Sequence, residues 1–273
     1  SMLTVKITID LDKSVESNAE AYYEAAKKAK RKIDGARDTV ERAKKKLEEA
    51  QSSTPTDNLT IQLDRRKPRW YEKYHWFRTT NDHLVIGGRD ASTNEQVIKK
   101  HAEQDDYVFH TDAPGSPFVV LKRDGQQFSH DDYEEAATFC ATYSQAWKNQ
   151  LSTLDVFQVT PDQVTKETKA GEYIDKGAFM VYGKRKTHTA EISLGVGLWR
   201  DGNDILLMAG PQEAIKSHCT AWVSLNHGSK SKGEIAKTLM KILCLTRTDD
   251  LLTQLPSGEF SIDTVHTDEI ETI

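Results

Sequence analysis

The sequence predicts an α+β protein, in which a long N-terminal coiled-coil helix precedes a mixed, largely antiparallel sheet domain and a small C-terminal α/β unit. Two observations predict this class. Apolar or small residues recur every three or four positions through residues 22–50, which is typical of a helix with one packed face. After residue 69, strand-like and helix-like segments follow one another without the regular strand–helix alternation of a parallel sheet.

The helical arm is expected over residues 1–51, after a short strand at Val5–Leu11 and with Asp12 or Ser14 as its cap. Ten Lys or Arg and four acids lie between Glu24 and Lys46, so one face is either simply solvated or lies along RNA phosphates. The apolar seam needs a partner, either a second copy of the chain or another part of the same protein. Its members are Tyr22, Ala26, Ala29, Ile33, Ala36, Val40, Ala43, Leu47 and Ala50.

We expect four further regions: a linker at residues 52–68, the sheet domain at 69–200, the small α/β unit at 201–248, and an acidic, mobile tail at 249–273. A helix capped by Ser129 is predicted for Asp131–Gln150. A basic Gly/Ser loop is predicted for His227–Gly233. Strands are predicted at Leu84–Ile86, Asp106–Phe109, Phe118–Leu121, Val156–Val159, Phe179–Tyr182, Ile192–Trp199, Ile205–Met208 and Ala221–Leu225.

Charge is unevenly distributed along the 273 residues. The net charge is −5, but seven acids and no Lys or Arg lie in residues 249–273, and without them the chain would carry +2. The three cysteines are widely spaced, which indicates neither a disulfide framework nor a zinc knuckle. No apolar run is long enough to span a bilayer, so we expect a cytoplasmic protein with no membrane partner. Ser1-Met2 is typical of an expression remnant, so we expect a piece of a longer protein.

Five motifs, in order between Arg69 and Val196, resemble the NFACT-R RNA-binding domain of the NFACT family. Residues 15–30 are similar to the family's first coiled-coil helix, and Ala209–Pro211 is similar to the C-terminal extension of archaeal-type members. The five motifs are Trp70–Phe77, Ile86–Ala91 with Asn94-Glu95, Asp106–His110 with Asp112 and Gly115, Ala136–Trp147, and Gly171–Tyr173 with Gly177–Met180.

The resemblance implies a module that binds RNA of the large ribosomal subunit and tRNA, within a quality-control factor that acts on stalled nascent chains. It implies no catalysis by this part of the protein, and we expect no cofactor and no metal. The family regions that carry much of the tRNA selection are not among the motifs found, so we do not expect this chain to extend nascent chains by itself.

Cations interleaved with aromatic residues near residue 70 are suited to RNA, because bases stack on aromatic rings and phosphates pair with Lys or Arg. For Trp76 and Phe77 we favour a place in the core. Gly87-Gly88 allows close backbone approach by a ligand or forms a tight turn in which Arg89 pairs with Asp90 or Glu95. The expected RNA-binding residues are Arg65, Arg66, Lys67, Arg69, Lys73, His75, Arg78, Gly87, Gly88, Arg89, Asn94, His110, Lys184, Arg185, Lys230 and Lys232.

Two other functions remain open from the sequence. His110 and Asp112 have the residue types of a metal-dependent hydrolase, although a structural or RNA-contacting histidine is favoured. The heptad seam alternatively indicates a scaffold that recruits proteins. The stretch Gly228–Gly233 lacks the spacing of a phosphate-binding P-loop, but it places Lys230 and Lys232 before a helix.

Overall fold

A computed structural model of the chain describes residues 8–10, 12, 14–30, 33, 67–167 and 175–267. The chain divides into two units, Ser1–Ser52 and Ser53–Ile273. Most of the predicted heptad seam and residues 52–66 of the predicted linker lie outside the described residues. The self-pairing of the seam therefore stays a prediction.

Helix α1 spans residues 15–30. Ser14, one of the two expected caps, precedes it, and its Oγ accepts a hydrogen bond from the Ser17 amide at 3.2 Å. The predicted strand at Val5–Leu11 is wrong for residues 8–10. Side chains of α1 bind this backbone instead of a neighbouring strand: the Tyr22 hydroxyl donates to the Thr8 carbonyl at 2.6 Å, and the Asn18 amide donates to that of Asp10 at 2.9 Å.

The first sheet has six strands, all paired antiparallel in the order β1-β2-β4-β3-β5-β8. This agrees with the predicted largely antiparallel domain. Strands β6 and β7 form a separate two-stranded ribbon. The bounds are β1 His75–Arg78, β2 Leu84–Gly87, β3 Tyr107–His110, β4 Val119–Leu121, β5 Thr153–Val159, β6 Val164–Thr165, β7 Met180–Val181 and β8 Lys186–Glu191.

Helices cover this sheet. Helix α2 (Ala91–Gln96) continues into a π-helical turn (Val97–His101), and a short 3₁₀ turn occupies Pro161–Gln163. Ser129 caps α3 (His130–Thr142) in a capping box, as predicted. The predicted single helix to Gln150 is interrupted, because Ser144 leaves the helical conformation and caps the short α4 (Gln145–Lys148).

The second sheet has four strands in the order β10-β9-β11-β12, again antiparallel. Strand β9 belongs to this sheet although most of it precedes the domain boundary predicted at residue 200, and that boundary stays a prediction. The strands are β9 Leu194–Asp201, β10 Asp204–Gly210, β11 Cys219–Ser231 and β12 Glu259–His266; the helices are α5 Gln212–His218, α6 Lys232–Ile242 and α7 Asp249–Gln254.

The expected mobile acidic tail is instead folded through residue 267. Helix α7 and strand β12 lie in it, and β12 completes the second sheet beside β11. Phe260 is fully buried, and its ring centroid lies 5.4 Å from that of Trp147. Apolar residues spaced between the acids therefore bind this segment to the rest of the unit, while its carboxylates stay near the surface.

The expected loop at His227–Gly233 is also wrong in conformation. Strand β11 continues through Ser231, with Lys230 opposite Phe260 of β12, and α6 begins at Lys232. Glycine and serine weaken the strand signal in the sequence, but Lys230 and Ser231 pair with β12 after an irregularity at residues 227–229. A helix follows as expected, but it begins at Lys232 and is capped by Ser231, so Lys232 lies in its first turn and not before it.

The two sheets meet where β1 packs against β10. A Cβ on Gly210 would lie 2.7 Å from Cγ of Phe77, so only glycine permits this approach. The Arg78 amide donates to the Met208 sulfur at 3.3 Å. Trp76 and Phe77 are fully buried here, as predicted. None of the helices among the described residues is both long and apolar enough to cross a bilayer.

Phe260→Ala tests whether the C-terminal segment is part of the core. Truncating a fully buried Phe is expected to lower the free energy of unfolding by about 3–5 kcal/mol. Thr264→Ala, exposed on the same strand, should change it by less than about 0.5 kcal/mol. Denaturant unfolding measures both, and equal, small effects would mean that residues 259–266 do not pack as described.

Candidate nucleic-acid interface

The Gly88 backbone is packed against Asn94 rather than open to a ligand. A Cβ at Gly88 would lie 1.9 Å from Oδ1 of Asn94, and that oxygen accepts a hydrogen bond from the Phe118 amide at 3.0 Å. The Gly88 amide donates to the Phe118 carbonyl at 3.1 Å. Gly87 is buried beside Phe139. These three predicted contact residues, Gly87, Gly88 and Asn94, therefore hold the turn in place.

The turn leaves Arg89 exposed at the start of α2. Asp90 caps this helix by accepting from the Thr93 amide at 2.8 Å. The expected ion pair of Arg89 with Asp90 or Glu95 is wrong, because Asp90 acts as the cap and Glu95 pairs with Lys166 at 2.8 Å. Arg89 Nη1 instead donates to the Lys73 carbonyl at 3.3 Å, which holds the guanidinium beside the start of β1.

Lys232 reaches the same surface from the second sheet. Its Nζ donates to the Leu255 carbonyl at 2.7 Å, and burial followed by the charge of Arg89 lowers its pKa. Within the described part of the chain, neither Arg89 nor Lys232 has a carboxylate partner. Asp90 lies close by, and its carboxyl pKa is lowered first by the Thr93 amide and also by the Arg89 charge. Neither cation is in an ion pair, however, and unpaired cations attract anions.

His75 lies beside these two cations. Burial, then the charges of Arg89 and of Lys232, holds the pKa of its imidazole well below the ordinary value of 6.5. Its Nδ1 is buried and lacks a hydrogen-bond partner among the described residues, and its ring centroid lies 4.2 Å from that of Tyr143. The ring is therefore neutral near pH 7, and it adds a polar group to the cluster without adding charge.

Lys73 and Trp70 border a cleft of about 570 Å³ next to this cluster. Lys73 is exposed, and its Nζ lies 3.3 Å from Oε1 of Gln96. Trp70 is 47% exposed, with the His101 ring stacked against it at 4.4 Å. An exposed indole beside a lysine is an arrangement on which an unpaired base can stack.

His110 is held by its neighbours. Its Nδ1 donates to the Pro117 carbonyl at 2.8 Å, and its ring stacks on Phe118 at 3.9 Å. Burial lowers the pKa of the imidazole. Asp112 pairs with Arg185 at 3.1 Å, and the Arg185 guanidinium lies 4.4 Å above the Phe157 ring. The described residues contain no group of three or more His, Cys, Asp or Glu that is placed to hold a metal ion.

Two of the predicted arginines are engaged in packing between the sheets. Arg69 Nη2 pairs with Asp201 at 2.7 Å and with Asp204 at 3.1 Å, on the hairpin of β9 and β10. Arg78 pairs with Asp82 at 3.5 Å, and its guanidinium lies 5.6 Å from the Trp199 ring. Their charges are therefore partly neutralised within the protein.

Among the described residues, no contact brings the remaining predicted cations into the cluster. Lys67 and Lys184 are exposed, and Lys230 is half-buried on β11. Arg65 and Arg66 lie outside the described residues. Of the predicted set, the contacts group Lys73, His75, Arg89 and Lys232.

Sequence reasoning missed the residues that support this group. The Tyr143 hydroxyl donates to the Gln254 carbonyl at 2.6 Å, and the Gln254 side chain donates to the Tyr74 carbonyl at 3.4 Å. Lys166 lowers the Glu95 carboxyl pKa to about 2, as does the Gly177 amide. Tyr143 and Glu95 lie in motifs that were found in the sequence, whereas their partners Gln254 and Lys166 lie outside those motifs.

A comparison with protein families finds that residues 73–183 match the model described as NFACT protein RNA binding domain. The chain contains the RNA-binding domain of the NFACT family. The five motifs named from the sequence extend over this span, and the resemblance is thereby confirmed. The NFACT match includes β1 to β7, whereas β8 and the whole second sheet, with Lys232, lie beyond it.

Curated relatives extend the NFACT assignment. The "Archaeal Rqc2 homolog aRqcH" of Methanocaldococcus jannaschii is 37% identical over 197 residues, which is 71% of this chain and 29% of that protein. The "Ribosome quality control complex subunit NEMF homolog" of Drosophila melanogaster is 31% identical over 198 residues, 70% of this chain and 20% of that protein. The chain thus spans less than a third of either relative.

Among solved structures, the C-terminal part of the fibronectin/fibrinogen-binding protein from Streptococcus suis is similar to this NFACT chain with a TM-score of 0.38 and 16% identity. The match covers 66% of this chain and 77% of that one.

Gly88→Ala is expected to disturb the turn that carries Arg89 in this NFACT domain. The added methyl would overlap Asn94, so we expect a loss of about 1–3 kcal/mol in the free energy of unfolding. Gly233→Ala is the matched control, because a Cβ there meets nothing within 4 Å and the residue lies in α6. Chemical denaturation measures the free energy of unfolding of both variants. Equal values for the two variants would contradict the packing described for Gly88.

His75 predicts a stability change with pH. Because folding lowers its pKa, the unfolded chain binds a proton below about pH 6.5 that the folded chain does not. Stability is therefore lost as pH falls below that value, by up to about 1.4 kcal/mol per pH unit for this group. His75→Phe, which keeps an aromatic ring against Tyr143, should show a shallower loss.

The measurement is the free energy of unfolding at several pH values from about 7.5 to about 5. His130→Gln, on the exposed start of α3, serves as the control and should follow the parent chain. A His75→Phe profile as steep as that of the parent would show that another group is responsible.

Proposed function

We propose that this chain is the RNA-binding module of a ribosome-associated quality-control factor, and that it contacts rRNA of the large subunit and tRNA without catalysing a reaction. The cytoplasm, where translating ribosomes lie, is the compartment we propose. The observation that carries the proposal is the surface formed by Lys73, Arg89 and Lys232. Its three cations lack acid partners among the residues described, and they lie in or beside an NFACT RNA-binding domain.

The chemistry of this surface suits RNA in two respects. Its cations can displace the counterions of phosphates, which favours binding to any RNA backbone. Trp70 offers a half-exposed ring for an unpaired base, beside Lys73. Four of the acids behind the net charge of −5 lie on α7 and β12, and one of them, Asp250, lines the cleft together with Glu72.

Names of the relatives support the ribosomal context. One is named as an archaeal Rqc2 homolog and another as a subunit of a ribosome quality control complex. This chain spans less than a third of either relative. We therefore include in the proposal, as an activity of the whole protein, the rescue of stalled ribosomes.

The test is binding to purified large ribosomal subunits and to tRNA at two salt concentrations. Each phosphate contact should contribute about 0.7–0.9 to the slope of log affinity against log salt. Lys73→Gln is expected to weaken binding several-fold and to lower that slope by about one. Lys216→Gln is the control, because Lys216 is exposed on α5 and paired with Glu213 at 2.8 Å.

Absence of binding to both RNAs even at low salt would refute the proposal. Equal losses in the Lys73 and Lys216 variants would mean that net charge, and not this surface, determines binding. Turnover of a substrate that is lost in His110→Ala would instead favour the hydrolase considered from the sequence.

A further inference from the structure

Arg89 and Lys232, which 142 residues separate in the chain, are tethered to neighbouring parts of one surface. Arg89 bonds to the Lys73 carbonyl, Lys232 bonds to the Leu255 carbonyl, and the Gln254 side chain joins these two segments by bonding to the Tyr74 carbonyl. Arg89 follows β2 of the first sheet, and Lys232 follows β11 of the second. Like charges repel, so a folded chain keeps two cations adjacent only if other contacts or a bound anion offset the cost. The described contacts hold both groups through backbone carbonyls, and neither group forms an ion pair with a described carboxylate, although Asp90 lies near Arg89.

Each cation is tethered through a backbone carbonyl. Arg89 Nη1 donates to the Lys73 carbonyl at 3.3 Å, and Lys232 Nζ donates to the Leu255 carbonyl at 2.7 Å. A backbone carbonyl is uncharged, so it orients a cation without offsetting the cation's charge, whereas a paired carboxylate would offset it. Both side chains keep further N–H donors, since a guanidinium has five and an ammonium has three.

Tyr143 connects the two tethers. Its ring packs on His75, two residues after Lys73, and its hydroxyl donates to the Gln254 carbonyl, one residue before Leu255. Tyr143 is at most 9% exposed, so this link is rigid. The buried Nδ1 of His75, which has no partner among the described residues, adds an unsatisfied polar atom beside the cations.

We propose that Arg89 and Lys232 together bind a single phosphate group of RNA, so that the second sheet is part of the RNA-binding surface. The inference rests on the proposed RNA-binding function and deepens it, because Lys232 lies outside the span that matches the RNA-binding family. A phosphate fits both partners: the forked guanidinium can bind two of its oxygens, and the lysine binds as a point charge.

A double-mutant cycle on tRNA binding tests whether the two cations share one phosphate. The variants are Arg89→Gln, Lys232→Gln and the double variant, with Lys216→Gln as the control. Gln at residue 232 keeps an N–H donor for the Leu255 carbonyl, and thermal unfolding checks that each variant is folded. We expect each single change to weaken binding about five- to tenfold, and the double change to be little worse than the stronger single one.

The salt slope gives an independent readout. One shared phosphate predicts that the double variant lowers the slope by about one. Two separate phosphates predict multiplied losses and a decrease of about two, which would overturn the inference. If Lys232→Gln does not fold, then Lys232→Arg, which keeps the charge, should retain binding, whereas Lys232→Met should not; equal binding of these two would also overturn it.

Inorganic phosphate separates this inference from the RNA-binding function itself. In NMR titrations, phosphate should shift the His75 ring resonances of the parent chain, and the shift should be lost in Arg89→Gln and in Lys232→Gln. A chain that binds phosphate here but no RNA would refute the proposed function while the anion site remains. A chain that binds RNA but shows neither the phosphate response nor coupling of the two cations would refute the shared site alone.

Discussion

The close contact between β1 and β10 is the constraint on which the second unit depends. The Phe77 side chain lies where a side chain of residue 210 would otherwise stand, so it packs directly on the backbone of β10 at Gly210. Around that point, Arg78 donates to the Met208 sulfur and Arg69 bridges to Asp201 and Asp204. β1 would otherwise be an unprotected edge of the first sheet. Burying it against the second sheet covers that edge and fixes which surfaces of the two sheets become neighbours, including those that carry Arg89 and Lys232.

The surface that follows from this packing is assembled from backbone tethers more than from ion pairs. Glycine at residue 88 lets α2 start close to β2, the Asp90 cap consumes the nearest carboxylate, and Lys166 consumes the next. Arg89 thereby keeps its charge. Lys232 keeps its charge for a similar reason, because the Glu234 carboxylate beside it bonds to Ser231 in the capping box of α6. Both capping carboxylates remain charged, but each is hydrogen-bonded in a helix cap and forms no ion pair with Arg89 or Lys232.

Much of this could be anticipated from the sequence, and the failures have physical causes. Apolar, β-branched runs such as Val119–Leu121 predict their strands, and Ser129 predicts its helix start. Strand β8 escapes prediction because its buried positions are His188 and Ala190, which do not form an apolar alternation. The C-terminal segment was misjudged because acids outnumber the few residues, such as Phe260, that bury it. The sequence identifies Lys73, Arg89 and Lys232 as cations in or near the motifs. Which cations stay unpaired depends on the packing of the two sheets, because that packing pairs Arg69 with Asp201.

Strand β12 and helix α7 have a consequence for the order in which the molecule becomes competent. Leu255, whose carbonyl orients Lys232, lies between them, and β12 closes the second sheet at its last position. During synthesis the first sheet emerges before this segment, and domains tend to fold as they emerge. A chain still being translated therefore holds Arg89 in place long before Lys232 is oriented. Of the two cations, Lys232 is therefore the later to be oriented, because its tether depends on residues that follow it in the chain.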